Sequence, residues 1–372
     1  IDNIRATLPY LLPEQQNDVL KAEQRFERNN GILFTNATGT GKTYTGLGVI
    51  KRMVKAGKEN ILIVVPSQTK AQDWVDDGKN LGLDITVLPD TQTAGKGQVI
   101  TTYANLSEND ALDRREWDAI VYDESHKLAS NQAGKNTVYQ DRHERLTMYS
   151  GAALQNRANS LLSEADRATR NRLLNKINAA RGRSREEALT KDELGEWDRI
   201  NEKIAKIAQD LSTKTKPKVV FLSATPFAYH QNLDYADKLL FDYEQDYTPT
   251  FGYNAPSARQ AFFIRHFGYR MRTGKLTEPD VNVDVDLMER RFHEWLKKTG
   301  AVSGRKLTTD QDYSREFVEI ENSVGKAIDR GIDIINGYHE DGRDGNQSKF
   351  PALSARLQAN LDFLAKSRLL EA

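Results

Sequence analysis

Short apolar runs separated by stretches of helical period organise the first 130 residues. GILFTN (31–36), ILIVVP (61–66), ITVL (85–88), QVITTY (98–103) and DAIVYDE (118–124) are the apolar runs. TYTGLGVIKRMVKAG (43–57) and TKAQDWVDDGKNLG (69–82) carry their apolar residues at helical spacing. Near-continuous apolar strands that alternate with helices predict an α/β fold, a parallel sheet with helices on both faces. KVVFLSATP (218–226) predicts one further strand of the same sheet.

The intervening residues have another character. Leu161, Leu162, Ala165, Ala168, Leu173, Leu174 and Ile177 recur at helical spacing, and so do Trp197, Ile200, Ile204, Ile207 and Leu211. AARGRSREE (179–187) separates the two series, which predicts a helical hairpin over 131–216 inserted into the α/β domain. Its tip is basic, through Arg167, Arg170, Arg172, Lys176, Arg181, Arg183 and Arg185. Two readings stand: a contact to a nucleic-acid backbone, or a solvated helical surface. After residue 245, Phe262, Phe263, Phe267 and Tyr269 interleave with Arg259, Arg265, Arg270 and Arg272. That pattern fits a small core with charged edges, or a strand-binding surface. Helical segments are expected at 286–299, 313–337 and 352–370, with GYHEDGRDGNQSK (337–349) as a linker. The expected division is a motor-type α/β domain over 1–130 and 217–245, the insert over 131–216, and a mainly helical extension over 246–372. No internal repeat and no strand–helix alternation is visible after residue 226.

Composition narrows the partners. The 372 residues hold 53 Lys and Arg against 53 Asp and Glu, so any nucleic-acid site must be a local patch. The absence of cysteine excludes disulfides and thiolate metal sites and fits a reducing compartment. ILIVV (61–65), the longest apolar run, is too short to cross a membrane, and no signal peptide is visible. The chain begins with Ile1, so the expectation is a piece of a longer polypeptide.

Chemistry enters at Ala37-Thr38-Gly39-Thr40-Gly41-Lys42-Thr43. A-x-x-G-x-G-K-T between an apolar run and a helix is a phosphate loop with Ala37 in place of the usual glycine. Gly39 and Gly41 let the backbone curl so that amides point at phosphate oxygens, with Thr38 and Thr40 between them. The helix beginning near Lys42 adds its positive end. Lys42 reaches the β- and γ-phosphates of ATP, and Thr43 offers a hydroxyl to Mg²⁺. Hydrolysis needs an acidic element at the end of a neighbouring strand. Asp123 and Glu124 end the apolar run AIVYDE, about eighty residues downstream. Asp123 is assigned to Mg²⁺ and Glu124 to the attacking water.

Asp123-Glu124-Ser125-His126 resembles the D-E-x-H box of superfamily 2 helicases and translocases, with Ser125 departing from the commonest forms. Leu11-Leu12-Pro13-Glu14-Gln15 resembles the L-x-P-x-Q element of that superfamily, VVPSQTKAQDW (64–74) its motif Ia, VITTYANL (99–106) its motif Ib, and Ser223-Ala224-Thr225 its motif III. With the phosphate loop, six elements fall in order over residues 11–226. The resemblance implies a RecA-like first motor domain. It implies that Gln15 contacts adenine and that His126, Ser223 and Thr225 couple hydrolysis to movement. Pro66, Ser67 and Gln68, with Thr101, Thr102 and Tyr103, would touch the nucleic-acid backbone. LSATPF (222–227) is similar to Swi/Snf-like and restriction-enzyme-like DNA translocases. The long insert is similar to Strawberry-notch-like helicase domains, found also in polyvalent phage and plasmid proteins. The implied setting is therefore the cytoplasm of a bacterial or phage-infected cell. The implied partners are double-stranded DNA and a second RecA-like domain, with no membrane. A second domain brings a Q-x-x-G-R-x-x-R element, and neither Gly304-Arg305 nor GKAIDRG (325–331) matches it. This piece is therefore expected to bind ATP and turn it over poorly. An RNA helicase motor and a nucleotide-gated binding module with little turnover remain as alternatives.

Overall fold

The computed structural model describes residues 2–36, 41–129, 137–227, 232–252, 255–280, 282–304 and 330. The chain divides into two units, 1–307 and 308–372, and every element named here lies in the first. The expected helices at 313–337 and 352–370, the linker at 337–349 and the GKAIDRG segment fall outside the described residues, apart from the helical Arg330.

The strands are β1 (Gly31–Phe34), β2 (Ile61–Val65), β3 (Ile85–Val87), β4 (Gln98–Thr102), β5 (Ala119–Asp123), β6 (Lys218–Leu222), β7 (Arg270–Arg272), β8 (Lys275–Thr277) and β9 (Val302–Ser303). Seven of them form one parallel sheet in the order β3-β4-β2-β5-β6-β1-β9, and β7 and β8 form a separate antiparallel pair. The sheet is buried on both faces, which is why its strands read as unbroken apolar runs. Alternate residues serve two cores. Ile61, Ile63, Val65, Val121, Val220 and Leu222 pack under the helices α1 (Asp2–Thr7), α2 (Pro13–Phe26), α3 (Lys42–Lys55) and α4 (Gln68–Asn80). Leu62, Val64, Ile120, Tyr122, Val219 and Phe221 face the other side, under α5 (Tyr103–Glu108) and α6 (Val138–Thr147).

The insert is more than one hairpin. After α6 come α7 (Gly151–Ser160), α8 (Glu164–Ala179), α9 (Arg185–Ala188) and α10 (Lys191–Ser212). Leu154, Ala158, Ile200, Ile204 and Leu211 join α7 to α10, and Leu173 and Trp197 join α8 to α10. A buried ionic cluster ties this layer to the sheet domain. Arg142 of α6 donates to Asp113 at 2.6 Å and to Asp110 at 2.7 Å, and Ser160 donates to Asp113 at 2.7 Å. Arg157 of α7 donates to the Asp113 carbonyl at 3.0 Å. Removing one partner from such a buried pair costs about 3–5 kcal/mol, so the insert is fastened to the motor at its base.

The tip's cations are largely engaged within the insert. Arg172 pairs with Glu196 at 3.2 Å, Lys176 with Glu193, and the Arg170 guanidinium lies 5.6 Å from the Trp197 ring centroid. The acids come from α10, well beyond the basic run in sequence. Arg181 and Arg183 are exposed and make no ion pair among the described residues.

Residues after 226 hold strands as well as helices. The helices α11 (Ala258–Phe267) and α12 (Val285–Lys298) press Phe262, Phe263, Phe267 and Phe292 against Phe241 and the motor core, with the Phe241 and Phe262 ring centroids 4.9 Å apart. The interleaved aromatics are core residues with charged edges. The chain then re-enters the main sheet as β9 against β1. A strand of two residues between helical segments gives no periodic signal, so it was not expected.

Candidate nucleotide site

All seven strands of the sheet run the same way, so the loops that follow them gather at one edge, the usual ligand edge of such sheets. Ala37, Thr38, Gly39 and Thr40 fall outside the described residues. Gly41 is the N-cap of α3 with φ 74°, and Lys42 and Thr43, both half-buried, open the helix. Gly41 is required twice over. Its backbone is left-handed, and a Cβ there would stand 2.4 Å from Gln15 Nε2.

Gln15 holds this end of the loop. Its Nε2 donates to the Gly41 carbonyl at 3.3 Å, and its Oε1 accepts from the Leu12 amide at 2.9 Å. Pro13 in the first turn costs α2 no hydrogen bond, and Gln15 closes the cap. Gln15 also lines a cleft of about 570 Å³ with Tyr10, Leu12, Tyr44, Asn80 and Leu81. Tyr10 is 78 % exposed and Leu12 58 %, an apolar surface open to solvent beside the phosphate loop. Tyr10 and Tyr44 were not singled out from the sequence. A single tyrosine beside a motif carries no spacing signal.

Asp123 ends β5 and is 3 % exposed. Its Oδ2 accepts from Trp74 Nε1 at 3.0 Å and its Oδ1 from the Glu124 amide at 3.1 Å. Burial pushes its carboxyl above the ordinary range, against the pull of the Trp74 bond and the Lys70 charge. Trp74, on α4, is the functional residue that sequence reasoning missed. It lies inside the motif Ia segment, but only the fold brings its indole to Asp123. Glu124 adopts a left-handed backbone, φ 51° and ψ 51°, which is uncommon for a residue with a Cβ and marks a site that holds strain. The turn frees its side chain from the sheet, leaving it 37 % exposed and 3.4 Å from His126 Nδ1.

His126 Nδ1 also lies 3.0 Å from Ser223 Oγ, and Ser223 Oγ accepts from the Thr225 amide at 3.1 Å. Burial lowers the His126 pKa first, the Glu124 carboxylate raises it, and the charges of Lys127 and Lys42 lower it further. A neutral ring can share a hydrogen bond with the Ser223 hydroxyl in either sense. The six sequence elements thus meet unequally. Gln15 reaches Gly41, Asp123 reaches Trp74, Glu124 reaches His126, and His126 reaches Ser223.

The proposed backbone-contacting residues divide. Ser67 and Gln68 are exposed and Pro66 half-buried, although Ser67 Oγ is engaged by the Lys70 amide at 3.2 Å. Thr101 and Thr102 are buried, and Thr102 caps α5 by accepting from the Asn105 amide at 3.3 Å. Tyr103 is buried with its hydroxyl donating to the Asp123 carbonyl at 2.7 Å. None of these three side chains, expected against the nucleic-acid backbone, lies open at the surface. Thr102 builds the β4–α5 turn and Tyr103 supports Asp123. Alternation along a strand does not reveal that a residue at the strand's end is spent on a cap.

Among the described residues, no cluster of three or more His, Asp or Glu has the spacing of a metal site. One buried carboxylate and one helix-terminal hydroxyl suit Mg²⁺, which keeps waters and takes its other ligands from phosphates. Asp123 and Thr43 fit that donor set.

Residues 9–160 match the family described as type III restriction enzyme, res subunit. A putative DNA 3'-5' helicase Rad25 of Halobacterium salinarum is 29 % identical over 149 residues, 36 % of this chain and 22 % of that protein. The chain thus spans about a fifth of that relative's length. The Sulfolobus solfataricus SWI2/SNF2 ATPase core in complex with dsDNA aligns over 94 % of this chain and 57 % of that one, at 12 % identity and a TM-score of 0.43. The ATP-dependent Type ISP restriction-modification enzyme LlaBIII bound to DNA aligns over 36 % of this chain and 12 % of that one, at 22 % identity and a TM-score of 0.31. The segment matched by the type III restriction enzyme res subunit family carries both the phosphate-loop helix and the D-E-S-H turn, set on one parallel sheet.

Proposed function

We propose that this chain is the ATP-binding first motor domain of a DNA helicase or translocase, completed by a second RecA-like domain. The observation that carries this is the contact path from Glu124, 3.4 Å from His126 Nδ1, to Ser223, 3.0 Å from the same nitrogen, at the edge where α3 presents Lys42. It joins the hydrolytic carboxylates to motif III, which a simple nucleotide-binding module has no use for.

In this reading the cleft beside Gln15, Tyr10 and Tyr44 takes the adenine. Thr38, Gly39, Thr40 and Gly41 wrap the phosphates, with Lys42 on the β- and γ-groups. Thr43 and Asp123 hold Mg²⁺, which would neutralise phosphate charge. Glu124 orients water and takes its proton. Its exposure and its turn off the strand suit that role, whereas a buried carboxylate such as Asp123 suits a cation. His126, Ser223 and Thr225 relay the state of the site. Pro66, Ser67 and Gln68 remain on the path assigned to the nucleic-acid backbone. No described helix is long and apolar enough to cross a membrane, and the cysteine-free chain suits the cytoplasm of a bacterial or phage-infected cell.

ATP turnover measured without polymer, and with duplex DNA, single-stranded DNA or RNA, tests this, with Glu124→Gln as the blank. Weak turnover that duplex DNA raises above RNA, and that the variant abolishes, is expected. Stronger stimulation by RNA selects an RNA motor. Tight ATP binding with turnover at the blank's level throughout selects a nucleotide-gated module, provided that the parent polypeptide behaves the same way.

A further inference from the structure

Asn36, immediately before the phosphate loop, is completely buried, and its Nδ2 donates to Asp18 Oδ2 at 3.1 Å. Asp18 is itself buried on α2, three residues after Gln15 and so on the same helical face. Its Oδ1 accepts from Ser303 Oγ at 2.7 Å. Ser303, the last residue of β9, is buried too, and its hydroxyl accepts from Lys21 Nζ at 3.2 Å. The backbone repeats the connection, because the Thr35 amide donates to the Ser303 carbonyl at 2.9 Å. Next to it, a Cβ on Gly304 would stand 1.8 Å from Thr35 Oγ1, so only glycine admits this approach.

One helix therefore holds both ends of the phosphate loop, Gln15 at Gly41 and Asp18 at Asn36. The second hold runs through β9, where the chain leaves the sheet. Polar groups buried in a mostly apolar layer are costly unless fully bonded, and once bonded they define a single arrangement. We propose that Asp18, Asn36 and Ser303 are positioning residues that fix the start of the phosphate loop to β9, so that ATP affinity depends on β9 being docked. The dependence on ATP rests on the function proposed above; the fixing of the loop does not.

The test compares Ser303→Ala with Ser303→Thr, which keeps the hydroxyl, and with Ser160→Ala, which removes a buried serine–aspartate bond in the insert. Two readouts are taken on the full chain: amide hydrogen exchange of peptides covering residues 33–46 without nucleotide, and KM and kcat for ATP. Loss of a buried hydrogen bond to a carboxylate corresponds to roughly a tenfold change. Exchange of 33–46 should rise by about that factor in Ser303→Ala, with KM rising alongside and kcat within about twofold. Ser303→Thr should restore both, and Ser160→Ala should move neither despite lowering the melting temperature. Unchanged exchange at 33–46 in Ser303→Ala, or an equal rise in Ser160→Ala, overturns the proposal. Absence of ATP binding in the unmutated chain counts against the nucleotide reading, while the exchange comparison still decides whether the cluster holds the loop.

Discussion

At the scale of single residues, the site depends on how Asp123 is kept usable in a dry place. Burial favours its protonated form, and the Trp74 indole N–H pulls the other way. Trp74→Phe keeps most of the apolar volume and deletes that donor. The Asp123 pKa should then rise further, so the acid limb of kcat/KM for ATP should move to higher pH. The loss of a bond to a charged group should also cost about 1.5–3 kcal/mol of stability, read from the denaturation midpoint. An acid limb that stays in place would show that another group sets it. The D-E-S-H turn was legible because its chemistry is spelled in consecutive residues. Trp74 was not, because it lies 49 positions from Asp123.

At the scale of elements, α6 is the link between insert and motor, and His143 is its anchor. His143 Nε2 lies 2.7 Å from the Tyr235 carbonyl, which can only accept, so this nitrogen carries the proton. Nδ1 then accepts from the Tyr122 hydroxyl at 2.8 Å, one residue before Asp123. Burial lowers the His143 pKa from 6.5 to about 4. The unfolded chain therefore binds a proton that the folded chain refuses. Stability from this group is complete above pH 6.5 and is lost as pH falls towards about 4, a swing of about 3 kcal/mol. His143→Gln should be less stable at pH 7 and should lose less between pH 6.5 and 4 in urea titrations. Comparing the two chains cancels the carboxylates common to both. Parallel pH slopes would rule out His143 as the source. Helical period revealed α8 and α10, but the acids that neutralise the basic tip lie on a separate helix, and a charge run cannot report its partner.

At the scale of the molecule, the boundary expected at residue 246 cuts through a continuous core. Phe262, Phe263, Phe267 and Phe292 pack with Phe227 and Phe241, and β9 covers the edge of β1. Each aromatic contributes roughly 1.5–3 kcal/mol by burial, and whole domains are stable by only about 5–15 kcal/mol. Residues 1–304 should therefore melt cooperatively by circular dichroism, and residues 1–245 should not. A cooperative melt of the shorter chain would support a boundary at residue 246. Neither Gly304-Arg305 nor GKAIDRG (325–331) has the glutamine and paired arginines of an arginine-finger element. Such arginines supply on the order of 10³–10⁵ in rate in related phosphoryl transfers, so in the function proposed above most of the rate would come with the second RecA-like domain.

The sequence by itself determined the parallel sheet, the phosphate-loop helix and the carboxylate pair. Each is local: an apolar run buried on both faces, a backbone that needs glycine, and two acids at a strand's end. Only the tertiary structure decided that Trp74 and Tyr103 serve Asp123, that α6 is joined to β5 through His143, and that β9 returns to the strand feeding the phosphate loop. Those contacts close over 20 to 285 positions of chain, as Tyr103 to Asp123 and Asp18 to Ser303. At such separations, hydrophobic periodicity carries no information about which residues meet.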